Sequence, residues 1–530
     1  MQPMTIKFLD LNDDVLVHVF SYLHGKDALF VALSSRRLHS LAITRVPAVV
    51  KCGSLEKLAR LQSWILATSP SRARHVIDLE FDLPNPIPAR FQAAIAIPLT
   101  ELLMHTCNVR HMILHGGFIT SVTTEVSHAI GGALRAMPRL TELSMDHVHD
   151  GFLSTIGSSL PPSLRKLSLV YIHQWHWNQW RHSYAPLIQI LASLPRLHTL
   201  AIHGFKPETL WTPDVPLFPS LLHLTLHEVS LPAVDLVSLT PNMRQVSVTH
   251  QPHRPTWSIP PPEPWTEPPR SWPPVRRLEF NVMSSLSHFL DAISETADYL
   301  KITARTPPSR AGDLIYTFRT LSPVGADLYL TVRENPIAFW RELFDNAPRL
   351  RYLRLSLTVK SSGDADECVT PWLDELVASF EALPLVYLKV RPHLKFDKAT
   401  LNKGTGKAAK RKAEARLDQE RQLTQEVVSE MAASLPQRLA GAIPKLSFFE
   451  LGIPGECIEY GVAYARGEDA DTSRWWRIVS GDHGREPQDM ASECWISWKM
   501  RRHMTSTARH RKTGPSSLML EAWIIYSWTS

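Results

Sequence analysis

Along most of this chain a proline is followed by the same spacing of apolar letters: one soon after it, another three residues on, and a last one two beyond that. The phrase reads PRLTELSM to Met145, PSLRKLSL to Leu169, PRLHTLAI to Ile202 and PSLLHLTL to Leu226. It returns as PNMRQVSV to Val248, PPVRRLEF to Phe280, PRLRYLRL to Leu355 and PKLSFFEL to Leu451. Weaker copies end at Leu114, Ile302, Leu330 and Val390. The last two apolar letters alternate with polar ones, so they share one face of a short strand. A lone strand of this kind cannot bury that face, whereas strands stacked side by side can. Between copies, YAPLIQILASL, IAFWRELFDNA and DELVASFEAL carry apolar residues at helical spacing and are each followed by a proline that stops the helix.

The unit is therefore helix, proline, strand, and copies mostly recur every roughly 22 to 35 residues, near the period of leucine-rich repeats. Residues 75 to 452 resemble that family, with the asparagine usual after the last apolar letter missing from most copies. The expected fold is α/β: a solenoid with parallel strands inside and helices outside. Two stretches interrupt it. Residues 251–274, rich in proline, read as a loop, and residues 403–439 as a charged helical insertion.

Residues 9 to 43 have a different pattern. Asn12 suits a helix N-cap, Asp13 and Asp14 suit the positive helix end, and Leu16, Val19, Phe20 and Leu23 form one apolar stripe. Gly25 breaks this helix, and two short ones follow, over Asp27 to Leu33 and from Ser35. A segment of about 40 residues with surplus apolar surface calls for a neighbour or a partner. The segment resembles an F-box, carried by Leu11, Val15, Leu16, Val19, Phe20, Tyr22 and Leu23, then Asp27, Leu29, Val31 and Leu33, then Arg36 and Arg37. Asn12 stands where the family has proline, and Leu38 where it has tryptophan. The whole chain then divides into a tail (1–8), an F-box-like three-helix domain (9–50), the repeat solenoid (51–455) and a basic, Trp-rich tail (456–530).

Composition narrows the class of protein. Of 530 residues, 44% are hydrophobic and 20% charged, which supports a folded core and excludes wholesale disorder. The net charge of +6 on so long a chain does not demand nucleic acid, which is not expected as a partner. Cys52, Cys107, Cys368, Cys457 and Cys494 are odd in number and far apart, which argues against a disulfide framework or a cysteine zinc site. No apolar run is long enough to span a membrane and the N-terminus lacks a secretory signal, so an intracellular location, cytoplasmic or nuclear, is expected.

The motifs that hint at catalysis or ligands do not hold together. GTGK lacks the first glycine and the Ser/Thr of a phosphate loop. Ser163 and Lys166 sit in a repeat phrase that explains their spacing, and His115-Gly-Gly has no nucleophile motif to serve. HQWHWNQWRHSY, residues 173–184, lacks a carboxylate or cysteine to complete a metal set and reads as a packed aromatic loop. No catalytic residue, metal or cofactor is expected.

What the F-box resemblance implies is a non-catalytic substrate receptor of an SCF-type ubiquitin ligase. The F-box would dock on a Skp-family adaptor, which bridges to cullin and a RING subunit, and the repeats would hold an unknown substrate protein. Leu11, Leu16, Val19, Phe20 and Leu23 are the candidate adaptor anchors, some of which must instead pack inside the helical unit. On the repeats, Tyr299, Tyr329, Tyr352, Arg354, Tyr387, Lys389 and Arg391 are the candidate substrate contacts, expected to form a basic, aromatic patch for an acidic or phosphorylated segment. A repeat scaffold with no ligase role is the alternative.

Overall fold

The computed structural model describes residues 11–23, 25–66, 70–83, 89–116, 119, 123–171, 182–207, 215–229, 231–249, 271–280, 290, 293, 296–306, 311–331, 337–360, 369–395, 407–452, 474–481 and 484–490. The chain forms two compact units, Met1–His250 with Pro262–Pro274, and Gln251–Pro261 with Val275–Ser530.

The first unit opens with three helices, α1 (Asp13–Phe20), α2 (Gly25–Ser34) and α3 (Arg36–Ala42). Eight parallel strands follow in strict sequence order: β1 (Val49–Cys52), β2 (Asp78–Leu83), β3 (His111–Gly116), β4 (Glu142–Val148), β5 (Lys166–Tyr171), β6 (Thr199–His203), β7 (His223–His227) and β8 (Gln245–Thr249). Helices fill most of the connections: α4 (Leu55–Leu66), α5 (Pro70–Ala73), α6 (Ala89–His105), α7 (Thr124–Arg135), α8 (Asp150–Ile156) and α9 (Tyr184–Ser193). Before β8 a 3₁₀ helix, Leu231–Leu239, takes that place and buries Ala233, Val234, Leu236, Val237 and Leu239.

The second unit repeats the plan. Strands β9 (Arg277–Phe280), β10 (Tyr299–Thr306), β11 (Gly325–Thr331), β12 (Tyr352–Lys360), β13 (Tyr387–Lys395) and β14 (Phe448–Leu451) are parallel neighbours in sequence order. Among the described connections are α10 (Ala311–Leu321), α11 (Ile337–Asp345), α12 (Val369–Ser379) and α13 (Lys407–Ala442). Helix α13 begins in the charged stretch, but its last turns bury Val428, Met431, Leu435 and Leu439, so it ends as an ordinary repeat helix. Two further strands, β15 (Arg474–Gly481) and β16 (Gly484–Met490), add to β14 antiparallel, within what the sequence marks only as a basic tail. Arg485 ties this hairpin down by donating to the carbonyls of Ile443 and Leu446, just beyond the end of α13.

The recurring proline phrase is a turn. In seven copies the apolar residue after the proline donates its backbone N–H to the carbonyl three residues back, as in Met137-Pro138-Arg139-Leu140 and Ala347-Pro348-Arg349-Leu350. The same bond closes at Leu164, Leu197, Leu221, Met243 and Leu446, always at 3.0–3.2 Å. In all seven of these turns proline sits at the second position, where its fixed φ is already the turn's own. The donor is buried in every case and anchors the strand that follows. Along each strand the inward letters, such as Leu167 and Leu169 or Leu353 and Leu355, are buried against the helix layer, which exposes their alternating partners on the opposite face. The parallel repeat architecture expected from the sequence is the one present. Ser163 also has a plain structural task, since its hydroxyl donates to the Leu140 carbonyl of the preceding repeat.

Candidate functional site

Two surfaces come from the sequence reading: the helical N-terminus and the polar face of the strands in the second unit. The N-terminal helices are held by local chemistry. Asn12 Oδ1 accepts from the Val15 N–H at 2.8 Å, and Ser35 Oγ accepts from the Leu38 N–H at 3.1 Å, so α1 and α3 both start on side-chain caps. Arg37 fixes α3 to the start of α1: its Nη2 donates to Asp13 Oδ1 at 2.7 Å and to the Leu11 carbonyl at 2.8 Å. Leu16, Phe20, Ala32, Leu38 and Ala42 form the small core, with Leu11, Leu23, Val31 and Leu41 packed against it.

That core divides the five candidate anchors. Leu16 and Phe20 are 0% and 1% exposed, so they hold the three helices together and offer no surface to a partner, which corrects their assignment as anchors. Leu11 and Leu23 are half-buried on the rim of the core. Val19 alone of the five is exposed. The surplus apolar surface lies on neighbouring positions instead: Val15 and Val17 of α1, Tyr22 after it, and Leu29, Phe30 and Leu33 of α2. Tyr22, Phe30 and Leu33 are each 70% or more exposed, a large amount of apolar surface for so small a unit.

In the second unit the outward letters line up in rows because the strands are parallel and in register. One row runs Glu279, Lys301, Asp327, Arg354, Lys389, Glu450. It holds three carboxylates and three cations, and they pair along the row. Lys301 Nζ lies 2.8 Å from Glu279, Arg354 lies 3.6 Å from Asp327, and Lys389 pairs with Glu450. Burial pulls the Arg354 guanidinium down, and Asp327, with Tyr387, Tyr299 and Glu450, more than offsets it and holds the group above its usual range. Tyr387 donates its hydroxyl to Glu450 as well. The adjacent row carries Arg277, Tyr299, Gly325, Tyr352 and Tyr387. Tyr299 and Tyr352 are buried together, Val324 and Tyr387 pack on them, and the Arg277 guanidinium lies 4.9 Å from the Tyr299 ring centre.

This geometry revises the patch expected from the sequence. Tyr299, Tyr352 and Lys389 form a packed floor, Arg354 is nearly buried, and the cations are already neutralised by carboxylates one strand away. Tyr329, Tyr387 and Arg391 keep partial exposure, as does Arg354 to the lesser extent left by its place beside Asp327. The carboxylates Glu279, Asp327 and Glu450 occupy outward positions of the same kind; aligning the repeats by strand position would have revealed the alternation of charge.

Residues 8–45 match the domain profile described as F-box domain. They are an F-box. Within the F-box, Asn12 supplies by its side chain the helix start that the family's proline would favour, and Leu38, in the tryptophan position, lies in the core. No curated protein matches the chain. Among solved structures, the yeast Rad7–Elc1 complex aligns at 13% identity over 74% of this chain and 92% of that one, with a TM-score of 0.31. An internalin, InlF of Listeria monocytogenes, aligns at 12% identity over 58% of this chain and 82% of that one, with a TM-score of 0.24. No described helix is long and apolar enough to cross a membrane.

Proposed function

We propose that this chain is the substrate-recognition subunit of an SCF-type ubiquitin ligase. The F-box docks on a Skp-family adaptor, and through it on cullin and a RING subunit, while the strand faces of the repeats hold a substrate protein. The observation that carries the reading is the apolar surface of the matched F-box, centred on Tyr22, Phe30 and Leu33, which its own core leaves outside. Large exposed apolar and aromatic side chains are the usual anchors of a protein interface. The chain itself would perform no bond-making step. It would work by proximity, raising the effective concentration of a target lysine at a charged conjugating enzyme. The self-neutralised row of the second unit favours a substrate segment of mixed polarity, contacted by Tyr329, Tyr387 and Arg391, over a purely acidic one.

Co-purification with a Skp-family adaptor tests this. The full chain should bind, and Tyr22→Asp with Phe30→Asp should abolish binding while the far-UV circular dichroism stays unchanged, since both side chains lie outside the core. Leu16→Asp serves as the contrast, because it should unfold the F-box. A folded full chain that binds no adaptor would leave a repeat scaffold without a ligase role.

A further inference from the structure

The polar face of the first unit contains a cluster that neither the F-box nor the proposed substrate face uses. His203 ends β6 and His227 ends β7, and the two are direct partners in the parallel ladder. Their ring centres lie 4.3 Å apart. Glu228 follows at once, and its Oε2 is 3.0 Å from His203 Nε2. One ligand atom from each of the three side chains falls within 4.8 Å of the others. We propose that His203, His227 and Glu228 form a binding site for a divalent transition-metal cation of the zinc type.

Two arguments support it. The first is the donor set. Two imidazoles and one carboxylate suit zinc and its neighbours, and three protein donors leave further coordination positions to water or to a side chain of a bound partner. Tetrahedral bonds of the usual zinc length place ligand atoms about 3.3 Å apart, so small side-chain rotations close the cluster on an ion.

The second argument is the backbone. In a regular strand, successive side chains point to opposite faces, so His227 and Glu228 should not both reach His203. They do so because Glu228 lies in the left-handed region, with φ 53°. One repeat earlier the equivalent position is Gly204, φ 73°, for which that conformation is free of side-chain strain. Gly204 N–H donates to the His227 carbonyl and Glu228 N–H to the Thr249 carbonyl, so the two positions do the same backbone work. A glutamate adds strain there and contributes a carboxylate beside two histidines.

The test is Zn²⁺ titration of the untagged full chain in competition with a chromophoric chelator. One equivalent should bind with a Kd near or below about 1 µM. His227→Ala, Glu228→Gln and Glu228→Gly should each weaken it by at least about tenfold. His223→Ala and His111→Ala, which change described histidines outside the cluster, should bind like the parent. Metal-free Glu228→Gly should melt no lower than the parent, because it relieves the strain, and Zn²⁺ should raise the melting temperature of the parent but not of this variant. The proposal is overturned if the parent binds nothing tighter than about 100 µM. It is equally overturned if the three cluster variants titrate like the parent, or if His223→Ala or His111→Ala removes the site.

Discussion

Lys389 and Glu450 are an ion pair almost shut off from water, with side chains 9% and 1% exposed. Such a pair contributes little net stability when intact, because each charge gives up its hydration to form it. Breaking it is another matter. Lys389→Met takes away the cation paired with Glu450, leaves the carboxylate its bond from Tyr387, and should cost about 3–5 kcal/mol in chemical denaturation. The double change Lys389→Met with Glu450→Gln should recover most of that loss. Equal losses in single and double variants would mean that the charge left on Glu450 is not the source of the loss. The same row explains why single residues misled the sequence reading. Lys389 and Arg354 look like free cations when read alone, and their carboxylates, Glu450 and Asp327, lie 61 and 27 residues away in the chain as counted from the sequence.

Helix α8 shows how a repeat element depends on a titratable cap. His149 Nδ1 accepts from the Phe152 N–H at 3.2 Å, a role only the neutral ring can fill. Burial lowers the His149 pKa from the ordinary 6.5, against the Ile119 backbone and the Asp150 carboxylate. The unfolded chain therefore takes up its proton first as pH falls, and the stability present above about pH 6.5 is lost below it. His149→Asn keeps a cap without the titration, so its melting temperature should fall less than the parent's between about pH 7 and about pH 5.5. Parallel pH profiles would remove His149 from the account. The repeat strands were legible because turn chemistry and alternation agree: Pro348 and Leu350 mark the turn while Leu353 and Leu355 mark the buried face. Strands β1 and β2 went unread because Pro47, before VVKC, stands one place later in its turn than the proline of the repeat phrase, and the turn before DLEFDL has no proline. The β15–β16 hairpin was missed because its order comes from pairing with β14, a contact no local pattern announces.

Among the described residues, the large apolar side chains with the greatest exposure, Tyr22, Phe30 and Leu33, all lie in the small helical unit. Tyr22, Phe30 and Leu33 on an unpartnered surface favour self-association, and the chain purified alone should show oligomers by light scattering. Tyr22→Asp with Phe30→Asp should shift it toward monomer at the same concentration. No shift would mean that the oligomers form through another surface. The F-box was legible from spacing, but the division of its apolar residues between core and surface was not. Leu16 and Val19 lie on the same predicted stripe, and only the packing of α2 and α3 decides that the first is inside and the second outside.

The strict order of strands β1 to β8 bears on how the chain is made. Every strand pairs with one already present earlier in the sequence, so no repeat in that unit waits for a distant segment. Folding can therefore be vectorial, each new repeat docking on the last as it leaves the ribosome. The F-box precedes all of them and depends on none of their strands for its core. It can be complete while the repeats are still being translated, so on the function proposed above the adaptor would meet the helical end of a nascent chain before the substrate-holding strand faces exist.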